Sequence, residues 1–164
     1  MPIKCQPNDN VVKILNHIID ISTYNEFPYT RYTKEEFLSF PVPEKDIDKD
    51  YGDSKWHLQG FDPKYLYAAK GLLGAKRVTN SILYPPNSVM HWHTNSNDEG
   101  IRVYYTYTED EAIFMYVDEN GQIQLDYDEV GWTCRKFTVQ KENLLWHSIW
   151  TKSNRYAFGF MIDA

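Results

Sequence analysis

The sequence has few cysteines, no long apolar run and no excess of cations. Its two cysteines, Cys5 and Cys134 in 164 residues, form no Cys-x-x-Cys pair and are too few for a disulfide framework, so we expect free thiols in a reducing compartment. No apolar stretch approaches the roughly 18 residues of a membrane span, and the N-terminal segment lacks the apolar core of a secretory signal. These absences predict a cytoplasmic protein with no membrane partner.

Basic residues are outnumbered by acidic ones. Seventeen Lys and Arg face 23 Asp and Glu, which gives a formal net charge of −6, and a field of that sign repels phosphate backbones and anionic lipids. The pairs Lys76-Arg77 and Arg135-Lys136 are short basic segments of the kind usually found on solvated surface. The sequence therefore argues against nucleic acid as a partner.

Several catalytic signatures are also missing. The sequence contains no Gly-rich phosphate loop and no Gly-x-Ser-x-Gly motif, which argues against nucleotide-phosphate and serine-hydrolase chemistry. Asp126, Asp128 and Glu129 have the spacing of a solvated hairpin tip, with too few oxygen ligands for a calcium loop.

The composition is that of a folded protein. Hydrophobic residues make up 42% and aromatic residues 16% of the chain, with 13 Tyr and 5 Trp, which is too apolar for a disordered segment. The length favours one domain over 1–164. Within it, residues 1–75 read as helical support and loop, and residues 76–164 read as a β-rich core.

Helical periodicity and capping signals divide the first part into three helices. We predict an amphipathic helix from the Asn8-Asp9-Asn10 caps to about Ser22, a short helix between the capping box at Thr33 and Pro41, and a third helix from Asp62-Pro63 to Gly74. The polar, Pro-marked segment 41–55 is predicted to be a loop or lid.

From Lys76 onward, short β-branched and aromatic runs alternate with turn residues. Eight strands in under ninety residues are typical of a double-stranded β-helix (jelly roll) and not of alternating βαβ units. They are predicted at about 76–83, 88–94, 101–108, 112–117, 122–126, 131–139, 144–150 and 155–162. Asn120-Gly121 predicts a type I′ hairpin turn, in which both central residues have positive φ.

The segment "VMHWHTNSNDEG" concentrates candidate metal ligands. Strand alternation would place His91, His93 and Asn95 on one face and Trp92 on the other. His147 lies in the penultimate predicted strand. Catalytic metals commonly take two or three imidazoles with a carboxylate, and the alternative is a half-buried polar strand edge.

The last predicted strand carries a candidate anion-binding residue. Arg155 shares a face with Ala157 and Gly159, whose small side chains would leave room for a ligand beside the guanidinium. Such a group suits bidentate capture of a carboxylate. The alternative is a structural arginine that reaches solvent or pairs with an Asp or Glu from another strand.

The stretches "WHTNSN", "GIRVYYTY" and "LWHSIWTKSNRYAFGF" resemble the Fe(II)/2-oxoglutarate-dependent oxygenases of the double-stranded β-helix and cupin superfamily. The resemblance covers roughly residues 76–162, and the stretches are similar to small, often phage-encoded members of that group. It implies that His93 and His147 bind Fe(II) and that Arg155 pairs with the distal carboxylate of 2-oxoglutarate. It also implies that Arg102 and Tyr104 contact the co-substrate or the substrate.

The sequence departs from that family at Asn95, where the metal-binding carboxylate is expected. Three outcomes follow: Asp98 supplies the carboxylate, His91 adds an imidazole as in a cupin that binds Fe, Mn, Ni or Zn, or the metal site is incomplete. Asn95 and Trp92 are then candidate substrate contacts.

We therefore predict a hydroxylase-type oxygenase that uses Fe(II) and 2-oxoglutarate on an unidentified small molecule, peptide or modified base. The alternative is a non-catalytic, cupin-like jelly roll that binds a small ligand with or without metal. Asn95 discriminates between them, because it favours the binding module if neither Asp98 nor His91 completes the site.

Overall fold

The computed structural model describes residues 1–44, 54–95 and 98–163. The predicted loop at 41–55 lies largely outside these ranges. In the described residues the helices are α1 (Asp9–Ile21), α2 (Lys34–Leu38) and α3 (Lys64–Leu73). The strands are β1 (Ile3–Cys5), β2 (Trp56–His57), β3 (Arg77–Tyr84), β4 (Ser88–His93), β5 (Gly100–Thr108), β6 (Ala112–Val117), β7 (Ile123–Tyr127), β8 (Gly131–Val139), β9 (His147–Thr151) and β10 (Arg155–Asp163).

Two antiparallel sheets face each other, as the jelly-roll prediction requires. The large sheet has the order β1-β8-β5-β10-β3-β2, and the small sheet has the order β4-β9-β6-β7. Phe137 of the large sheet packs against Phe114 and Ile149 of the small sheet in one buried cluster. The space between the sheets is therefore the interior, and the predicted fold class is confirmed.

The helices cover the outer faces of the sheets. Leu15 of α1 and Ala69 of α3 pack with Leu83 and Phe158 on the outer face of the large sheet. Phe37 of α2 is in the cluster of buried residues on the small sheet. The caps act as predicted, since the Asn8 side chain accepts two backbone N–H groups of α1 and Thr33 forms a capping box with Glu36.

All eight predicted strands are present, with ends that differ by at most three residues. The sequence reading missed β1 and β2, which are too short to show alternation. The type I′ turn is wrong, because Gly121 has a φ of 77° while Asn120 has no positive φ. The Asp118 carboxylate accepts the N–H groups of Asn120 and Gln122, each at 2.9 Å, and this side-chain turn sets the hairpin geometry.

Candidate metal centre

Two histidines distant in sequence meet in the interior. His93 ends β4 and His147 begins β9, and the two residues are register partners in the antiparallel pair. Their ring centroids are 4.1 Å apart. Phe114 stacks on His147 at 5.5 Å, and the His147 residue is 2% exposed. Jelly-roll topology thus brings both imidazoles to one end of the small sheet.

Backbone carbonyls select the same tautomer of both rings. His93 Nδ1 lies 2.7 Å from the carbonyl oxygen of His91, and His147 Nδ1 lies 2.9 Å from that of Leu145. A carbonyl can only accept, so each Nδ1 carries a proton, and in the neutral form of either ring the lone pair lies on Nε2. This is the arrangement in which metal-binding imidazoles are commonly held.

The electrostatic surroundings keep His147 neutral. Burial lowers the pKa of His147 well below its usual value of 6.5, and the neighbouring His93 and Arg102 charges lower it further. A metal binds the unprotonated imidazole, so binding at neutral pH requires no removal of a proton from this ring.

Asn95 occupies the position next to the histidine pair. Its backbone has a φ of 56°, a left-handed conformation that Asn tolerates better than most residues. The Asn95 Nδ2 lies 3.3 Å from His147 Nε2 and donates to the ring's lone pair. Rotation of the amide by half a turn would present its oxygen to an ion at this position. The side chains gathered at this point are therefore two imidazoles and one neutral amide.

In the part of the chain that the structure describes, no three His, Cys, Asp or Glu side chains form a group that could hold a metal ion. The structure therefore does not bring His91 or Asp98, the two expected third ligands, together with His93 and His147 in such a group. The reason is local in each case.

His91 is turned away by an irregularity in β4. The register shifts between Met90 and His93, where a β-bulge breaks the alternation of side chains. The His91 ring stacks on Phe40 with a centroid distance of 5.1 Å and meets the edge of Tyr32 at 5.7 Å. Burial lowers the pKa of His91. The ring therefore packs with the aromatic side chains that cover the small sheet.

Asp98 is engaged by two arginines. Its carboxylate pairs with Arg77, and its Oδ2 lies 3.0 Å from Nη2 of Arg102. The hydrogen bond from Arg77, with the Arg102 charge adding to it, lowers the pKa of Asp98. The carboxylate is therefore ionised and bound to cations already present in the chain.

Trp92, a candidate substrate contact in the sequence, lies in the core. It is 4% exposed and packs with Phe37 and Trp150 in the cluster that includes α2. Its indole N–H donates to the carbonyl oxygen of Phe40 at 3.1 Å. The same bulge that turns His91 outward leaves Trp92 in this outer cluster.

Arg155 has a buried structural partner in Asp128, which is the alternative that the sequence left open for it. Its Nε lies 2.8 Å from Oδ2 of Asp128, while Nη1 of Arg135 lies 2.5 Å from Oδ1 of the same carboxylate. Arg135 also bonds Asp126 at 2.8 Å. The side chains of Arg135, Arg155 and Asp128 are each at most 2% exposed. The sequence predicted that Asp128 lies at a solvated hairpin tip and that Arg135 belongs to a solvated basic pair. Both predictions are wrong, because both side chains are buried.

Arg155 also lies far along its strand from the part of the sheet that carries Arg102. In the β5–β10 pair, Arg155 is opposite Thr108 and Met161 is opposite Arg102. Six residues of strand separate the two positions on β10, which corresponds to about 20 Å. Arg155 and Arg102 therefore lie near opposite ends of the paired strands.

Arg102 is a buried cation that acts electrostatically on His147. It is 5% exposed, its Nη1 donates to the Tyr104 hydroxyl at 3.2 Å, and its charge contributes to the lowered pKa of His147. Its Nε–H has no hydrogen-bond partner among the described residues, and neither does Oγ1 of Thr79 nor Oδ1 of Asn80. Buried polar groups without partners are costly, so these atoms are candidate ligand contacts. The sequence analysis singled out Arg102 but neither Thr79 nor Asn80.

Gly159 is the point where those side chains converge. A Cβ built there would lie 2.3 Å from Oγ1 of Thr79, 2.5 Å from Oδ1 of Asn80 and 2.6 Å from the Tyr104 ring. The room expected above Gly159 is thus filled by neighbouring side chains. A register shift between Gly159 and Phe160 brings Thr79 and Asn80 together over this glycine.

We expect Gly159→Ala to lower the free energy of unfolding by about 1–3 kcal/mol, the usual cost of overpacking. Urea denaturation measures the change. The matched control is Gly71→Ala in α3, where an added Cβ meets nothing within 4 Å and helix propensity predicts a gain of about 0.5–1 kcal/mol. A neutral or stabilising Gly159→Ala would contradict the crowded arrangement.

The fold is shared with solved structures, among them two prolyl hydroxylases. The chain is similar to a prolyl hydroxylase from Trichoplax adhaerens, solved in complex with a peptide fragment of the hypoxia inducible factor oxygen degradation domain, at 11% identity, with a TM-score of 0.57 and coverage of 98% of this chain and 82% of that one. It is also similar to a Pseudomonas putida prolyl-4-hydroxylase at 12% identity, with a TM-score of 0.53 and coverage of 98% and 91%. At these identities the likeness shows the fold alone.

No protein-family model and no curated protein sequence matches the chain. Among the described residues, no helix is long and apolar enough to cross a membrane. The class defined so far is therefore a double-stranded β-helix of the kind found in prolyl hydroxylases.

Proposed function

We propose that the protein is an Fe(II)- and 2-oxoglutarate-dependent oxygenase. In this proposal His93 and His147 hold the iron through their Nε2 atoms, and Asn95 adds its amide oxygen. The observation that carries the proposal is the pair of imidazoles, 4.1 Å apart, with both Nδ1–H groups held by backbone carbonyls. This pair lies inside a fold shared with two hydroxylases.

The donor set fits a divalent metal, although weakly. Two neutral imidazoles suit Fe(II), whereas an amide oxygen is a poorer ligand than the carboxylate of the two-histidine-one-carboxylate arrangement. We therefore expect Fe(II) to bind less tightly than it would to a site with a carboxylate at position 95. Iron bound there together with 2-oxoglutarate would supply the chemistry by which O₂ oxidises a substrate.

The co-substrate contact moves from Arg155 to Arg102 in this proposal. The Arg102 guanidinium is buried near His147, has an unpartnered Nε–H and is steadied by the Tyr104 hydroxyl. A carboxylate of 2-oxoglutarate would offer the missing acceptor. The substrate itself is unidentified, and the peptide in the Trichoplax adhaerens complex makes a peptide one class to test.

Substitution of single histidines tests the metal ligands. We expect His93→Phe to weaken Fe(II) binding by at least about 100-fold, since one of two imidazoles is lost. The matched control is His91→Phe, which keeps a ring on Phe40 and should leave the affinity within about twofold of the wild type. Anaerobic equilibrium dialysis measures both. An unchanged affinity in His93→Phe would place the metal elsewhere, and an equal loss in His91→Phe would make His91 part of the site.

A non-catalytic ligand-binding module is the second candidate, and the neutral Asn95 favours it. In that case 2-oxoglutarate or a related anion would bind in the absence of metal, and binding would depend on Arg102. Calorimetry on metal-free protein, compared with O₂ consumption on addition of Fe(II), separates the two functions. Binding without metal and without O₂ consumption would support the module.

A further inference from the structure

The two cysteines lie directly opposite each other in the large sheet. Cys5 of β1 is the register partner of Cys134 in β8, and their sulfur atoms are 2.8 Å apart although the residues are 129 positions apart in sequence. Opposed residues of an antiparallel pair have Cα atoms about 4.5–5.5 Å apart, which is within the roughly 4.4–6.8 Å that a disulfide spans. The backbone therefore already has the geometry of a cross-strand disulfide.

The two thiols differ in access. Cys134 is 3% exposed and belongs to the core cluster that also contains Leu15 of α1. Cys5 is half-buried on the edge strand. The Tyr105 hydroxyl accepts the N–H of Asn8 at 2.9 Å, and Tyr105 is the register partner of Cys134 in the neighbouring strand. An oxidant from solvent would meet Cys5 first.

We propose that Cys5 and Cys134 form a reversible disulfide by exchange with a small-molecule disulfide of the glutathione type. The Cys5 thiolate attacks one glutathione sulfur, which breaks the S–S bond and releases one glutathione that takes up a proton. The Cys134 sulfur then attacks the Cys5 sulfur of the mixed disulfide, loses its proton and displaces the second glutathione. Two protein thiols are oxidised, and one glutathione disulfide is reduced to two thiols.

The disulfide would join the N-terminal strand to β8 without reaching the candidate metal centre. Cys134 faces the helices on the outer side of the large sheet, whereas the next residue, Arg135, lies over the interior ring of Phe114. We therefore expect oxidation to raise the thermal midpoint by several degrees, because it cross-links distant parts of the chain. Fe(II) affinity should not change, so this proposal stands or fails independently of the proposed function.

The test equilibrates the full chain with excess oxidised glutathione at about pH 8, where an ordinary thiol is partly ionised. The protein is then quenched in acid, denatured and alkylated with N-ethylmaleimide. Mass spectrometry should show no alkylation and a mass about 2 Da below that of the reduced protein, since two thiol hydrogens are lost. Dithiothreitol should restore two alkylated thiols. Two alkylated thiols after oxidation, or cross-linked dimers, would overturn the proposal.

Single substitutions check the order of attack. Cys134→Ser should stop at one glutathione on Cys5, because the second thiol is missing. Cys5→Ser should show no glutathione on Cys134 in the native protein, since that thiol is buried. A glutathione adduct that persists on Cys5 in the wild-type chain would show that Cys134 cannot reach it, and would also overturn the proposal.

Discussion

Arg155→Leu should lower the free energy of unfolding by about 3–5 kcal/mol, as breaking a buried ion pair does. The change removes one of two cations from Asp128, whose side chain is 1% exposed. Burial alone would raise the pKa of Asp128, but Arg155 and Arg135 lower it more, so the pKa is below its usual value of 3.8. The stability that the ion pairs of Asp128 contribute is fully present above that usual pKa, and it is lost as pH falls through the lowered folded-state pKa.

Urea denaturation at neutral and acid pH measures this effect. The matched control is Lys136→Leu, because Lys136 adjoins Arg135 on β8 but is exposed, and its replacement should change stability by no more than about 0.5 kcal/mol. Arg155→Leu should also leave the affinity for 2-oxoglutarate unchanged. A variant of native stability with much weaker 2-oxoglutarate binding would instead restore Arg155 as the co-substrate anchor.

Asn95→Asp should tighten Fe(II) binding by at least about tenfold, because it adds the anionic oxygen ligand that two imidazoles lack. The Asn95 amide nitrogen lies 3.3 Å from His147 Nε2, so an aspartate at this position would bring its carboxylate to the same place. Anaerobic titration with Fe(II), followed by calorimetry, measures the affinity.

The chain offers a matched control for Asn95→Asp. Asn87 is also a left-handed asparagine, with a φ of 59°, and Asn87→Asp adds the same charge at the opposite end of β4. Its Fe(II) affinity should equal that of the wild type. If Asn95→Asp gave no gain over Asn87→Asp, the Asn95 side chain would not point at the metal position.

Local patterns were sufficient to predict most of the fold. Capping residues and apolar periodicity located α1, α2 and α3, and β-branched alternation located eight strands. The meeting of His93 and His147 also followed from sequence, because jelly-roll topology pairs an early strand with a late one. These features depend on regular backbone geometry, which residue patterns encode.

The failures arise where the backbone is irregular or where a partner is distant. One bulge in β4 turned His91 toward Phe40, and alternation alone cannot reveal an added residue. Asp128 reaches Arg155 across 27 positions of sequence, and nothing local marks that pairing. The same holds for Cys5 and Cys134, since β1 is a three-residue strand with no periodic signal.

The most direct test is an anaerobic absorption titration of the wild-type protein with Fe(II) and then 2-oxoglutarate. We predict a visible charge-transfer band that develops only when both are present, that saturates at one of each per chain, and that is lost in His93→Phe but kept in His91→Phe. No band at saturating concentrations of both, in protein that remains folded, would contradict a centre built from His93 and His147.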